Sequence, residues 1–345
     1  MNTARVLAHA PLVLPQRERE RYHEEGFLVV PGYVGPGWLA RLRAVVAAKI
    51  EESRVLTASD DQFDLAPGHS AASPNIRRLR KAVDQHPDLW AFAEDPCVVD
   101  LVADLLGPDL RFHSSKLNFK WSAGGDAVRW HQDIQAWPHT SFSVLTFGVY
   151  LEDTGPEQGP LTALPGTHRG LIFDQFDDDG RWTGALTARD VATLPTATAR
   201  DLCGPAGTVV LLHCRVVHGS AVNDSTRMRP LLLNVYSAAD ALPFSPAPAP
   251  TSKTGRLVRG QEPLHVHMEE YPARLPPRWD QVRLPLDLRR PGAGRVRGVA
   301  PGDGPTPRPP ARAAGPAPPR RPSPPPCPRR TGDSASPTGG RRWRT

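Results

Sequence analysis

Apolar and polar positions change rhythm along this chain. Before residue 107, apolar residues recur at helical intervals. Trp38, Leu39, Leu42, Val45, Val46 and Ile50, with Lys49 among them, predict an amphipathic helix over 37–52, with Pro36 in its first turn. Val98, Val99, Leu101, Val102, Leu105 and Leu106 predict a second helix that starts at Asp95-Pro96 and stops at Gly107. Both stripes are read as core-packing faces. Residues 17–25 are charged and helix-compatible, and Gly26 to Pro31 reads as a short buried strand ended by proline. From about 110 the apolar residues come in short runs separated by Gly/Pro turns. Strands are predicted at 111–119, 127–133, 143–152, 160–164, 207–213, 215–218 and 229–237. Many short strands predict a sandwich or barrel rather than a Rossmann sheet, and no Gly-rich phosphate loop is present. The stretch 174–203, with some helix from Thr187 to Val191, reads as an insertion of the kind that caps an active site.

The pattern fails after about residue 288. Residues 289–345 hold 15 of the 40 prolines and almost no aliphatic residues. Such a segment cannot bury enough surface to offset its conformational entropy, so 289–345 is read as a disordered tail behind a folded unit of 1–288. This division changes the meaning of the charge. The formal net charge is +6, but the tail alone carries +11, from 13 Arg against Asp303 and Asp333, which leaves the folded part at −5. The folded part is therefore not expected to bind nucleic acid. Cys97, Cys203, Cys214 and Cys327 form no C-x-x-C pair, which argues against a zinc ribbon or a disulfide scaffold and predicts a reducing, cytoplasmic setting. The apolar run from Val6 to Leu14 is interrupted by His9 and Pro11 and does not read as a signal peptide. No stretch reaches the roughly 20 apolar residues needed to span a bilayer.

Candidate chemistry concentrates in Trp130-His131-Gln132-Asp133 and the later His218-Gly219-Ser220. Residues i and i+2 of a strand point to one side, so His131 and Asp133 can reach one metal together, and His218 is placed to supply a third ligand. Two His and one carboxylate on one face of an ion, with the other positions open, mark non-haem Fe(II) oxygenases. Taken alone, a His-x-Asp in a chain with 12 His is commonly a surface pair. The surrounding pieces decide between the two readings.

Those pieces come in order. Ser115-Lys116-Leu117-Asn118-Phe119-Lys120 precedes the His-x-Asp, and Trp137 follows it. Gly159-Pro160-Leu161 and Leu164-Pro165-Gly166-Thr167-His168 come next. Gly207-Thr208-Val209-Val210-Leu211-Leu212-His213 then leads into His218, with Asn223, Arg227 and Arg229 behind it. The arrangement resembles the phytanoyl-CoA dioxygenase family over about 17–240, with motifs close to those of the ectoine hydroxylases. The resemblance implies a mainly β fold with flanking helices, a double-stranded β-helix or jelly roll with its core at about 110–240. It implies Fe(II), 2-oxoglutarate as co-substrate and O2, with a small molecule hydroxylated and succinate and CO2 released.

The resemblance also implies roles. His131, Asp133 and His218 would ligate the metal. The family's arginine for the distal carboxylate lies eleven residues after the second His, which gives Arg229, with Arg227 as the alternative of the same strand parity. A planar guanidinium suits a carboxylate because it can bind both oxygens. Asn118 and Ser220 would also bind the co-substrate, and Trp137 would line the substrate pocket. A carboxylate at Asp133, where the family's halogenases carry a small residue, implies hydroxylation. Trp130 is read as core packing, and His139, His168 and His213 as structural; on a continuous strand His213 would face away from His218. The segment 236–285, with His265 and His267, would shape selectivity together with 174–203. Two other readings stay open here: a redox-inert cupin-like metalloprotein, and a non-catalytic family member.

Overall fold

The computed structural model describes residues 3–122, 127–272 and 274–279. Twelve strands follow in chain order: β1 (Phe27–Val30), β2 (Phe63–Leu65), β3 (Ile76–Arg80), β4 (Leu110–Lys120), β5 (Val128–His131), β6 (Val144–Tyr150), β7 (Thr162–Ala163), β8 (Arg200–Asp201), β9 (Val209–His213), β10 (His218–Ser220), β11 (Arg229–Ala238) and β12 (Leu257–Arg259). They form two antiparallel sheets. The larger has the order β1-β9-β6-β11-β4-β3-β2, with β12 also paired to β4, and the smaller has the order β5-β10-β7-β8. This is the expected jelly roll, and strand alternation explains how it packs. Val209 and Leu211 of β9 join one apolar core, while Val210 and Leu212 join Tyr150, Leu161, Leu231 and Leu233 in another between the sheets.

Helices cover the outer face of the larger sheet. In chain order they are α1 (Thr3–Ala8), α2 (Gln16–Glu25), α3 (Pro36–Ser53), α4 (Ala82–Gln85), α5 (Pro87–Ala93) and α6 (Pro96–Leu106); α7 (Ala188–Ala192) lies elsewhere, with Val191 packed on Leu164, Leu186 and Val217. Leu42, Val45 and Val46 of α3 and the whole apolar stripe of α6 enter the outer core with Phe112, Leu117 and Phe147. The helix signals in the sequence act as expected: Asp95 caps α6 by accepting from Cys97 N–H, and Thr187 caps α7. Gly26 ends α2 in the left-handed region, φ 84°, and a Cβ there would stand 2.4 Å from His168 Nδ1. His168 Nε2 donates to the His23 carbonyl at 3.0 Å, and the ring packs 5.0 Å from His213.

One buried polar network ties the N-terminal segment to α6. The Asp104 carboxylate accepts from the backbone N–H groups of Leu12, Val13 and Leu14 at 2.7–2.8 Å. Arg19, fully buried, donates to the Asp104 and His9 carbonyls. Breaking one partner of such a network strands buried groups, so Asp104→Ala is expected to lower stability by about 3–5 kcal/mol. Urea unfolding checks this, and a loss below about 1 kcal/mol would contradict the network's role.

The elements depart from expectation in a few places. The strand predicted at 127–133 ends at His131, and Asp133 opens a 3-10 turn; Gln132 stays extended (φ −119°, ψ 131°), so the i, i+2 relation survives. The strands predicted at 207–213 and 215–218 are separate, but the second runs His218–Ser220; His213 ends β9 in the larger sheet and His218 starts β10 in the smaller, so strand parity does not relate the two. β2, β3, β8 and β12 and the short helices α4 and α5 had no clear pattern. The tail division at 288/289 lies outside the described residues. Among the described residues no helix is long and apolar enough to cross a membrane.

Candidate active site

His131 ends β5 and His218 opens β10, and the two are direct partners in the register of these antiparallel strands. Direct pairing puts both side chains on one face, with ring centroids 4.2 Å apart. The close approach depends on Gly219, where a Cβ would stand 2.7 Å from the Val128 carbonyl oxygen. The turn after Gln132 brings Asp133 beside them. Asp133 Oδ1 lies 3.7 Å from His131 Nε2, and Oδ2 lies 4.0 Å from His218 Nε2. One ligand atom from each of the three falls within 4.8 Å of the others, and among the described residues this is the only such His/Cys/Asp/Glu group.

The outer partners prepare the three groups to ligate. His131 Nδ1 lies 2.9 Å from the Arg129 carbonyl and His218 Nδ1 lies 3.0 Å from the Val216 carbonyl. A carbonyl only accepts, so each Nδ1 carries the proton and each Nε2 lone pair faces the site. Thr146 of β6 donates to Asp133 Oδ2 at 2.8 Å, which leaves Oδ1 open. Burial alone would push the Asp133 carboxyl up, but His218, Lys116, His131 and the Thr146 hydroxyl outweigh it and hold the group below its ordinary value. The carboxylate is therefore ionised and ready to bind a cation.

Gln132, pointing the other way, is fully buried and ties the segment from Leu171 to Leu186 to the His-x-Asp. It donates to the Leu171 and Arg215 carbonyls and accepts from Phe173 N–H. Gln175 and Leu186 return bonds to the Gln132 and Trp130 carbonyls, so the segment from 171 to 186 is docked beside the His-x-Asp. Trp130 packs against the Leu164, Leu186 and Val217 cluster beneath that segment.

A cavity between the sheets holds the rest. His131, Asp133 and His218 line it together with Asn118, Ser220 and Arg229. Arg229 is 2% exposed, and its Nε and Nη1 have no hydrogen-bond partner. Its guanidinium carbon lies 6.0 Å from the Tyr150 ring centre. Burial pushes the Arg229 guanidinium down from its usual range, opposed by Tyr150. Ser220 Oγ is buried without a partner as well, and Asn118 Oδ1 accepts from Arg78 Nε at 3.1 Å. Arg227 is not brought to this cavity. It lies at the surface, 58% exposed in its side chain, 3.2 Å from Gln158 Oε1 and 3.6 Å from Glu157 Oε1.

A second cavity adjoins the first, and the two share Lys116, Asp133 and Leu233. Trp137, 6% exposed, lines it. The segment after β11 contributes Pro248 and Ala249, while His265 and His267 line neither cavity. His139 is buried with Nδ1 2.7 Å from the Trp137 carbonyl, and the His113, Trp137 and His139 rings pack against one another. Burial pushes His139 down to about 4 and His113 to about 3, so both stay neutral. Sequence reasoning assigned no role to Lys116 or Thr146. For Lys116 the signal was available: it lies two residues before Asn118, on the same face of β4. Nothing local marks Thr146, which depends on β6 passing under the turn at Asp133.

The metal-type group and the buried guanidinium both fall inside the region matched by the phytanoyl-CoA dioxygenase (PhyH) family, residues 22–231. A probable alpha-ketoglutarate-dependent hypophosphite dioxygenase of Stutzerimonas stutzeri is 33% identical over 270 residues, covering 76% of this chain and 91% of that protein. The L-proline trans-4-hydroxylase of Streptomyces griseoviridis is 27% identical over 248 residues, covering 67% of this chain and 89% of that one. Among solved structures, EctD from S. alaskensis with 2-oxoglutarate and 5-hydroxyectoine shares the fold, with a TM-score of 0.58 at 24% identity over 77% of this chain and 92% of that one. With the match spanning more than half of the chain and every residue of the His-Asp-His group inside it, the chain belongs to the phytanoyl-CoA dioxygenase family of iron- and 2-oxoglutarate-dependent oxygenases.

Proposed function

We propose that this chain hydroxylates a small molecule, using Fe(II), 2-oxoglutarate and O2 and releasing succinate and CO2. The observation that carries the reading is Arg229: a buried cation with two partnerless nitrogens, in the same cavity as the His-Asp-His group. An unpaired buried charge is costly, and a carboxylate of a bound co-substrate satisfies it. A redox-inert metal site has no use for that cation, and a non-catalytic relative has no use for two imidazoles held with Nε2 facing one carboxylate.

Each residue then has a task. His131, Asp133 and His218 hold the metal from one side. Arg229 binds the distal carboxylate of 2-oxoglutarate, and Asn118 and Ser220 supply polar contacts along its length. Bound iron and 2-oxoglutarate together supply the oxidising power, by coupling oxidative decarboxylation to attack on a C–H bond or its equivalent. The protein keeps its imidazoles in one tautomer, keeps Asp133 ionised and excludes water with Leu161, Leu212 and Leu231. A carboxylate at Asp133 takes the position that a halide would need, which favours hydroxylation. Trp137 lines the side from which substrate reaches the metal. The named relatives act on hypophosphite and on L-proline, both small and polar, and a small substrate fits this chain equally. Cytoplasmic residence belongs to the same proposal, supported by Cys97, Cys203 and Cys214, which form no disulfide among the described residues.

An anaerobic titration tests the reading. Fe(II) and then 2-oxoglutarate are added to apo-protein while the visible metal-to-ligand charge-transfer band is followed. The band is expected in the wild type and not in Asp133→Ala. A folded wild-type protein that gives no band would move the function to redox-inert chemistry.

A further inference from the structure

We propose that Thr146 is a positioning residue that confines Asp133 to one metal-binding oxygen and so keeps open the position at which O2 enters. This role presupposes the iron and 2-oxoglutarate chemistry above. It settles a matter that the three ligands leave undecided, namely how many oxygens the carboxylate gives to the metal.

The carboxylate alone does not make the choice. Oδ1 lies 3.7 Å from His131 Nε2 and Oδ2 lies 4.0 Å from His218 Nε2, so both oxygens turn toward the imidazole nitrogens that face the site. Carboxylates bind metals through one oxygen or through both. A second oxygen on the metal would take a position that a group of two His and one carboxylate otherwise leaves open. The co-substrate is an α-keto acid, which chelates through a carboxylate oxygen and its keto oxygen, and O2 needs a further position. Chelation by Asp133 would therefore compete with O2.

Thr146 breaks this symmetry. Its hydroxyl donates to Oδ2 at 2.8 Å. His218, Lys116 and His131 act on the carboxylate through charge, which both oxygens feel, whereas a hydrogen bond is made to one. The fold holds the hydroxyl in place. β6 lies between β9 and β11, and Thr146 pairs with Leu212 on one side and Val235 on the other. Its β-branched side chain has restricted χ1 there, so the hydroxyl stays under Asp133. β6 reads Val-Leu-Thr-Phe-Gly-Val-Tyr and is buried throughout. Of its two hydroxyls, that of Tyr150 accepts from Leu161 N–H and that of Thr146 goes to Asp133. Valine would suit a buried strand as well and would bury no polar group. The hydroxyl thus serves a task beyond packing, and Thr146 lines the inner cavity together with the three ligands.

Nitric oxide, a surrogate for O2, reads the open position without turnover. The purified full chain is loaded anaerobically with Fe(II) and 2-oxoglutarate, and nitric oxide binding is followed by the electron paramagnetic resonance of the iron–nitrosyl adduct. Thr146→Val is expected to keep the iron and the charge-transfer band while its Kd for nitric oxide rises roughly tenfold or more, the worth of one hydrogen bond to a charged group. Thr146→Ser keeps the hydroxyl and should bind nitric oxide as the wild type does. Melting curves show which variants fold, and Thr146→Ala takes the place of Thr146→Val if the valine variant does not. The role is overturned by an unchanged nitric oxide Kd in the variant without the hydroxyl, by iron lost in step with nitric oxide binding, or by a serine variant that behaves like valine. A wild type without a charge-transfer band removes the cofactor reading and this role together. A wild-type band with Thr146→Val unchanged removes this role alone.

Discussion

Arg229→Met is expected to make the protein without co-substrate more stable while destroying tight 2-oxoglutarate binding. In the free protein the guanidinium is buried with Nε and Nη1 unpartnered, 6.0 Å from the Tyr150 ring centre. A group left unsatisfied in this way costs about 1–3 kcal/mol, and more when it is charged. Met fills much of the same space without a charge to desolvate. The thermal midpoint should rise by about 2–4 °C for each kcal/mol recovered in a domain of this size. Binding moves the opposite way. Losing one partner of a buried charge pair costs about 2–5 kcal/mol, so the Kd for 2-oxoglutarate should rise by roughly thirtyfold or more. Calorimetric melts and the anaerobic titration read the two effects separately. A lower midpoint with unchanged 2-oxoglutarate affinity would make Arg229 a structural cation and remove the central support for the proposed function.

Asp133→Ala is expected to abolish turnover and to weaken iron retention by at least about a hundredfold, beyond the loss typical of a residue that only orients a ligand. The fold should survive. The Asp133 side chain is 14% exposed and its one described protein hydrogen bond comes from Thr146, so the stability cost is about 1 kcal/mol. Asp133→Glu should not rescue activity. One extra methylene displaces the carboxylate by more than the roughly 0.5 Å that a ligand constellation tolerates. Iron content after desalting, set beside the melting curve, checks both statements. Full iron retention in Asp133→Ala would transfer ligation to other groups.

Part of this site was legible in the residues themselves. Helices α3 and α6 carry stripes of apolar residues bounded by Pro36, Asp95 and Gly107, and these local signals act whatever the rest of the chain does. His131 and Asp133 were legible as a pair able to face one metal because extended backbone through Gln132 turns alternate side chains to one side. His218 was placed to join them, and the resemblance to the family then pointed to Arg229, with Arg227 as the alternative. The shape of the partners was not legible. β3 reads Ile-Arg-Arg-Leu-Arg, a polar run with no reason of its own to be a strand, and it becomes one by pairing with β4. Arg227 and Arg229 share strand parity in the sequence. Only the turn organised by Asn223, which donates to the Lys120 and Arg227 carbonyls, separates an exposed arginine from a buried one.

By itself, then, the sequence determined the elements that rest on short-range periodicity and capping, and it singled out the residues of the metal-type group. The tertiary structure alone decided that His131 faces His218 across β5 and β10, that Thr146 leaves one oxygen of Asp133 open, and that Arg80 and Lys116 stand opposite each other at the cavity wall. The physical reason is range. Helix stripes and strand alternation are set by neighbours within a few residues, whereas register between strands far apart in the chain is set by which apolar faces bury together, and a slip of one residue would turn every one of these side chains to the other face.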